Sequence, residues 1–88
     1  MKKFAFIGAG SFIFTRNLVR DLLSFPAFED CELALMDTDP ERLERITAAV
    51  RKINAAMGAH AKITPTQSRA EALSGADGVL CTVFNGGI

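Results

Sequence analysis

The sequence has no long apolar run, no excess charge of either sign and only two cysteines, and each absence excludes a class of protein. No run approaches the roughly 18 consecutive apolar residues that a membrane-spanning helix needs, so we expect no membrane partner. Ten basic and ten acidic residues give zero net charge, and without a basic run we expect no nucleic-acid partner. Cys31 and Cys81 form neither a disulfide framework nor a close metal-ligand pair, and two ordinary thiols indicate a reducing, cytoplasmic location.

The first part of the chain joins an apolar strand to a glycine turn and a helical pattern. The strand, Phe4 to Ile7, leads into Gly8-Ala9-Gly10-Ser11, and a second apolar strand later ends on Asp37. Gly8 permits a tight turn, and Gly10, which has no Cβ, would let a pyrophosphate approach the backbone at the positive end of the next helix. Asp37 would accept hydrogen bonds from an adenosine ribose. The pattern therefore predicts a dinucleotide site.

Two departures from the usual dinucleotide pattern leave a simpler interpretation open. Ile13 stands where the third glycine of G-x-G-x-x-G would be. Asp37 lies further from the glycines than the usual spacing of about 20 residues, which a longer first helix and a loop around Pro26 would absorb. The simpler alternative is a glycine turn between strand and helix that binds no ligand.

The remainder of the chain continues to alternate strands with helices. The second strand is Leu33 to Met36, and Asp39-Pro40 supplies the N-cap and first residue of a helix that Gly58 would end. One apolar face of this helix is predicted from the steps of three and four between Leu43, Ile46, Val50, Ile53 and Met57. A short strand is expected from Lys62 to Thr64, before Pro65. A capping box at Ser68 to Glu71 opens a short helix, and an apolar strand covered on both faces runs from Gly78 to Phe84.

This alternation predicts an α/β fold with parallel strands and right-handed crossovers. We expect a three-layer, Rossmann-like half: a sheet of about four strands in the order 3-2-1-4, with helices on both faces. Residues 1–88 would form a single, truncated dinucleotide-binding domain. Because the fourth strand would leave an apolar edge, we expect the chain to form a homo-oligomer, most simply a two-fold dimer.

Ligands of such sheets bind outside the carboxyl ends of the strands, at the switch point between strands 1 and 4. Three segments of the chain would meet there, each following one strand. The residues predicted to contact the cofactor are Gly8, Ala9, Gly10, Ser11, Phe12, Ile13, Asp37, Thr38, Arg42, Thr82, Val83, Phe84 and Asn85.

Three separated motifs carry a resemblance to a known family. The first runs from Phe6 to Ser11 and is followed by Phe14-Thr15; the second runs from Ala34 to Leu43. The third is Gly75-Ala76-Asp77, with the apolar strand and Gly86-Gly87 after it. Together they resemble the N-terminal part of the family-4 glycoside hydrolases. Within that family the chain is most similar to the α-galactosidase branch.

This resemblance implies a glycosidase that depends on NAD and on a divalent metal, usually manganese, with a small sugar as its substrate. Members of the family are understood to oxidise the sugar at C3, remove the C2 proton, eliminate the C1 group and add water before the hydride returns. The family's metal-binding Cys and His and its tyrosine base would lie beyond this chain, which contains no tyrosine. We therefore expect neither catalytic residues nor metal ligands here, and we interpret Cys81 as core packing and His60 as a solvated loop residue.

Several functions remain open on the sequence. Other branches of the same family are 6-phospho-α-glucosidases or galacturonidases. Outside the family, the same half-fold would suit an NAD dehydrogenase of the lactate/malate type, with net hydride transfer to its substrate. It would also suit a nucleotide-sensing module that catalyses nothing, because the fold alone does not decide function.

Overall fold

The computed structural model describes residues 2–9, 12–28 and 30–81, which alternate between strands and helices. Its elements are β1 Lys3–Ile7, α1 Phe12–Leu23, a 3-10 turn at Pro26–Phe28, β2 Glu32–Met36, α2 Pro40–Ala56, β3 Lys62–Thr66, α3 Arg69–Leu73 and β4 Gly78–Cys81. The expected continuation of the fourth strand to Phe84 lies outside the described residues. Within the described part of the chain, no helix is both long and apolar enough to cross a bilayer.

The four strands form one parallel sheet in the order β3-β2-β1-β4, as the sequence predicted. Side chains of successive residues alternate between its faces, so each strand contributes to two separate cores. α1 and α2 cover one face and α3 covers the other, which confirms three layers. The first core includes Phe6, Val19, Leu23, Leu33, Leu35, Leu43, Ile46 and Val50, and the second consists of Ala5, Ala34, Met36 and Ala72.

The start of α2 follows from its first two residues. The Asp39 side chain accepts hydrogen bonds from the N–H groups of Glu41 and Arg42, and Pro40 occupies the first helical position. The predicted apolar face is confirmed except at its last member, since Met57 is 39% exposed. Met57 is the C-cap, one residue beyond the last turn, and Gly58 follows with a φ of 67°. The chain therefore leaves the helix before Met57 can reach the core.

β3 is longer than the sequence suggested, because it continues through Pro65 to Thr66. The Lys62 N–H donates to the Cys31 carbonyl, and the Thr66 carbonyl accepts from the Asp37 N–H. Alternate residues of the strand therefore turn their backbone polar groups toward β2, and Pro65, between them, faces the open side. An edge strand tolerates proline at such a position, since the missing N–H would have had no partner.

The interpretation of Cys81 as a core residue is wrong: its side chain is exposed. Cys81 and Val79 lie on the α3 face of the sheet, aligned with Ile7 and Ala5. α3 packs mainly against β1, β2 and β3, so among the described residues that face of the outermost strand β4 is largely exposed. Val79 is accordingly 50% exposed.

The cap of α3 provides a test of local stability. The Ser68 hydroxyl accepts a hydrogen bond from the Glu71 N–H at 3.2 Å, which confirms the predicted helix start. Ser68→Ala should therefore lower the free energy of unfolding by about 1 kcal/mol, measured by urea denaturation of the 88-residue chain. Ser74→Ala, at the other end of the same helix, is the control and should leave the midpoint unchanged. Equal midpoints for both variants would contradict the role of Ser68.

The exposed side of β4 provides a test of the expected self-association, which stays a prediction. Val79→Lys would place a charge on the edge strand and should shift the 88-residue chain toward monomer in sedimentation-velocity experiments. Ala70→Lys, which adds the same charge to the exposed side of α3, should leave the distribution unchanged. A wild-type chain that sediments as a monomer at high micromolar concentration would contradict the expectation.

Candidate functional site

The glycine turn after β1 is fastened to the end of β2 by a single carbonyl group. The Met36 carbonyl accepts hydrogen bonds from the N–H groups of Gly8, at 2.9 Å, and Ala9, at 2.7 Å. Gly8 has a φ of 77°, a conformation that glycine adopts without steric cost. Because these two N–H groups already have a partner inside the protein, donors for a phosphate must come from later residues of the turn or from the first turn of α1.

Six of the predicted cofactor contacts follow β1. Gly8 and Ala9 shape the turn, Phe12 begins α1, and Ile13, on the first helical turn, is 72% exposed. Gly10 and Ser11 lie outside the described residues. The first turn of a helix offers N–H groups without an intrahelical partner, together with the positive end of the helix dipole. The described residues thus supply an anion-compatible helix start next to a turn that glycine allows.

Thr15 holds the same turn from the side of the helix. Its side chain is fully buried, and its hydroxyl donates a hydrogen bond to the Ala9 carbonyl at 2.9 Å. Ala9 is therefore fixed at both its N–H and its carbonyl. Sequence reasoning missed this contact. The available signal was a hydroxyl-bearing residue at a position of α1 that the apolar pattern would assign to the core.

Asp37 occupies the expected position immediately after β2. The residue is buried, its N–H donates to the Thr66 carbonyl, and its Oδ1 accepts from the Asp39 N–H at 2.9 Å. This bond fixes the orientation of the carboxylate relative to the start of α2. The Asp39 carboxylate instead caps α2, where it accepts hydrogen bonds from backbone N–H groups. The two acids are two residues apart, but only Asp37 stands at the strand end.

The other two predicted contacts after β2 lie beside Asp37. Thr38 follows it directly, and Arg42 lies on the first turn of α2; both are exposed. The Thr38 carbonyl accepts a hydrogen bond from Gln67 Nε2 at 3.0 Å, so the loop after β3 supports the loop after β2. Sequence reasoning missed Gln67 because nothing local connects residues so far apart in the chain.

The third predicted segment cannot be compared with the structure. Thr82, Val83, Phe84 and Asn85 lie outside the described residues. Cys81, the last described residue of β4, is aligned with Ile7, the last residue of β1. Of the three predicted segments, the structure therefore brings two together, the glycine turn and the Asp37 loop, through the Met36 carbonyl.

The described residues contain no cluster of three or more His, Cys, Asp or Glu side chains that could hold a metal ion. His60 is exposed in the turn after α2. Burial raises the pKa of the Cys31 thiol, and the negative charge of Asp30 raises it further, against the lowering effect of a backbone hydrogen bond. A raised pKa keeps that thiol protonated and makes it a poor nucleophile and a poor metal ligand.

Four basic side chains line a groove between the two helices that cover one face of the sheet. Arg16 and Arg20 of α1 and Arg45 and Lys52 of α2 line a groove of about 520 Å³ between the two helices. Its floor is formed by small and apolar side chains of α2. Arg16 therefore lines the groove between α1 and α2.

A parallel 3-2-1-4 sheet, with a glycine turn after β1 and a carboxylate after β2, defines an α/β domain with a Rossmann-like fold. The family model described as family 4 glycosyl hydrolase matches residues 3–87, and the chain belongs to that family. This confirms the resemblance found in the sequence.

Two curated relatives extend this assignment. The chain is 38% identical over 86 residues to an alpha-galactosidase of Rhizobium meliloti (strain 1021), covering 98% of this chain and 18% of the relative. It is 36% identical over 87 residues to an alpha-galactosidase of Bacillus subtilis (strain 168), covering 99% of this chain and 20% of the relative. The chain thus spans about a fifth of the length of these relatives.

The carboxylate of Asp37 provides a test of cofactor choice in the full-length protein. Asp37→Asn keeps an oxygen for the Asp39 N–H but removes the charge that would attract ribose hydroxyls and repel a 2′-phosphate. NAD should bind roughly ten- to a hundredfold more weakly, and the preference for NAD over NADP should shrink, as measured by calorimetry. Asp39→Asn is the control, because asparagine caps helices as well as aspartate does, and it should leave both affinities unchanged. Equal wild-type affinities for NAD and NADP would contradict the assignment.

Proposed function

We propose that this chain is the NAD-binding segment of a glycosidase that hydrolyses α-galactosides. One structural observation carries the cofactor part of the proposal: the Met36 carbonyl joins the glycine turn to the strand end that bears Asp37. Membership in the glycosyl hydrolase family supports the reaction class. The similarity to two alpha-galactosidases supports the substrate.

The described residues fit a dinucleotide at three points. Gly8 gives the chain its sharp turn out of β1, and α1 begins directly after that turn. The Asp37 carboxylate is oriented by the Asp39 N–H at the neighbouring strand end, where an adenosine ribose is expected. A phosphate at the start of α1 and a ribose at Asp37 would be next to each other in one ligand.

In this proposal the chain binds and orients, and the reaction takes place elsewhere in the longer protein. The N–H groups of the first turn of α1 would hold the pyrophosphate, and Asp37 would hold the ribose hydroxyls. The chemistry that NAD supplies when bound is reversible hydride transfer at C3 of the sugar, which acidifies the C2 proton before elimination at C1 and addition of water. A divalent metal such as manganese belongs to the same proposal, with ligands outside these residues.

Other functions have less support. A 6-phospho-α-glucosidase or a galacturonidase of the same family would use the same cofactor segment, but the relatives reported above are alpha-galactosidases. Membership in a glycosyl hydrolase family favours a glycosidase over a lactate/malate-type dehydrogenase or a nucleotide sensor. A cytoplasmic location is part of the proposal, since both cysteines are free.

Turnover assays on the full-length protein, supplied with NAD and Mn²⁺, test this function. An aryl α-galactoside should be hydrolysed, whereas aryl derivatives of 6-phospho-α-glucose and α-galacturonic acid should not. Activity should fall when NAD is removed and return when it is restored. In deuterated water the released galactose should carry deuterium at C2, because the C2 proton exchanges during elimination.

The same assays separate the alternatives. Stoichiometric accumulation of NADH at 340 nm would identify a dehydrogenase and contradict the proposal. NAD binding without turnover of any glycoside would identify a sensor. Hydrolysis of the phosphorylated sugar or the galacturonide instead of the galactoside would place the protein in another branch of its family.

A further inference from the structure

We propose that Thr15 is a positioning residue for the dinucleotide, acting through the backbone of Ala9. The inference rests on the proposed NAD-binding function and adds a residue that would not itself touch the ligand. The Thr15 hydroxyl donates to the Ala9 carbonyl at 2.9 Å, across the junction between the glycine turn and α1. Thr15 is fully buried, so this bond is shielded from water.

Ala9 is held from two sides. Its N–H donates to the Met36 carbonyl at 2.7 Å, and its carbonyl accepts from Thr15. Both backbone polar groups of Ala9 therefore have partners inside the protein, and the conformation of the turn at Ala9 is set before a ligand binds.

A second buried threonine shows that Thr15 has an unusual partner. The Thr47 hydroxyl donates to the Leu43 carbonyl at 2.6 Å, four residues earlier in the same helix. That bond is the common local contact of a threonine inside a helix and fixes nothing outside α2. The Thr15 bond instead leaves its helix and reaches the preceding turn, six residues away. The Thr47 hydroxyl thus makes a contact within α2, whereas the Thr15 hydroxyl links the glycine turn to α1.

The packing of the site does not require a hydroxyl at residue 15. Valine has nearly the same shape, and burying a hydroxyl costs free energy unless it is hydrogen-bonded. The bond that the structure describes for this hydroxyl orients a carbonyl in the turn. Without it the turn would have more conformations to lose on binding, which weakens affinity without removing any ligand contact.

Calorimetric titration of the full-length protein with NAD tests the proposal on three variants. Thr15→Val should raise the dissociation constant roughly tenfold, which corresponds to the loss of about one hydrogen bond. Thr15→Ser keeps the hydroxyl and should bind within about threefold of wild type, since less than about 0.7 kcal/mol would be lost. Thr47→Val removes a second buried hydroxyl, whose bond stays within α2, and should bind as wild type does. In turnover assays, Thr15→Val should raise the KM for NAD and leave kcat at saturating NAD unchanged.

Each other outcome overturns the assignment. Wild-type affinity in Thr15→Val would show that residue 15 only packs. Equal losses in Thr15→Val and Thr47→Val would show a general effect of buried hydroxyls. Should the valine variant fail to fold, Thr15→Ser and Thr15→Ala, which differ only in the hydroxyl, make the same comparison, and equal affinities would overturn the proposal. A wild-type protein that binds no NAD would instead overturn the proposed function and this role with it.

Discussion

The Met36 carbonyl is the point on which the rest of this structure depends. It accepts two N–H groups from the turn after β1 while Met36 itself ends β2, so the two strands remain aligned up to their last residues. The same bond pair brings the glycine turn beside Asp37. A parallel sheet presents all its strand ends at one edge, but it does not by itself shape the loops that follow. Here one backbone acceptor shapes a loop and joins two of the three segments of the candidate site.

The opposite end of the sheet is held by Lys3, which connects β1 to α3 and β4. Lys3 Nζ donates to the carbonyls of Glu71, at 3.1 Å, and Ser74, at 2.6 Å, and so satisfies free carbonyls at the end of the short helix. The Lys3 N–H donates a hydrogen bond to the Asp77 carboxylate, and the Lys3 carbonyl accepts one from the Asp77 N–H. These bonds place α3 over the sheet and bring the chain back to begin β4. The candidate site therefore lies at one end of a sheet whose opposite end is fixed by the contacts of Lys3.

Features that depend on neighbours in sequence could be predicted, and features that depend on distant partners could not. Two helix starts could be predicted because their capping bonds are local: one at Asp39-Pro40 and one at Ser68, three residues before Glu71. The extension of β3 through Pro65 depends on which way each backbone group faces, and the exposure of Cys81 depends on where α3 ends. Of the site itself, the glycine turn and Asp37 are visible in the sequence. The support from Gln67 joins segments far apart in the chain, so no local pattern reveals it. The support from Thr15 has only an indirect signal, a hydroxyl at a position of α1 that the apolar pattern would assign to the core.

The proposed reaction gives a reason for a turn that is fixed before the ligand arrives. A cofactor that ends each cycle unchanged need not leave between cycles, so tight binding carries no penalty of the kind a consumed cosubstrate would impose. Affinity can then come from removing the conformational freedom of the free site. The contacts of Ala9 with the Met36 carbonyl and with the Thr15 hydroxyl would do this, and neither of them involves a charged side chain. In the proposed function, electrostatic attraction would come from the start of α1, and discrimination between cofactors would come from Asp37. Shape, attraction and selectivity would then depend on different groups at the same end of the sheet.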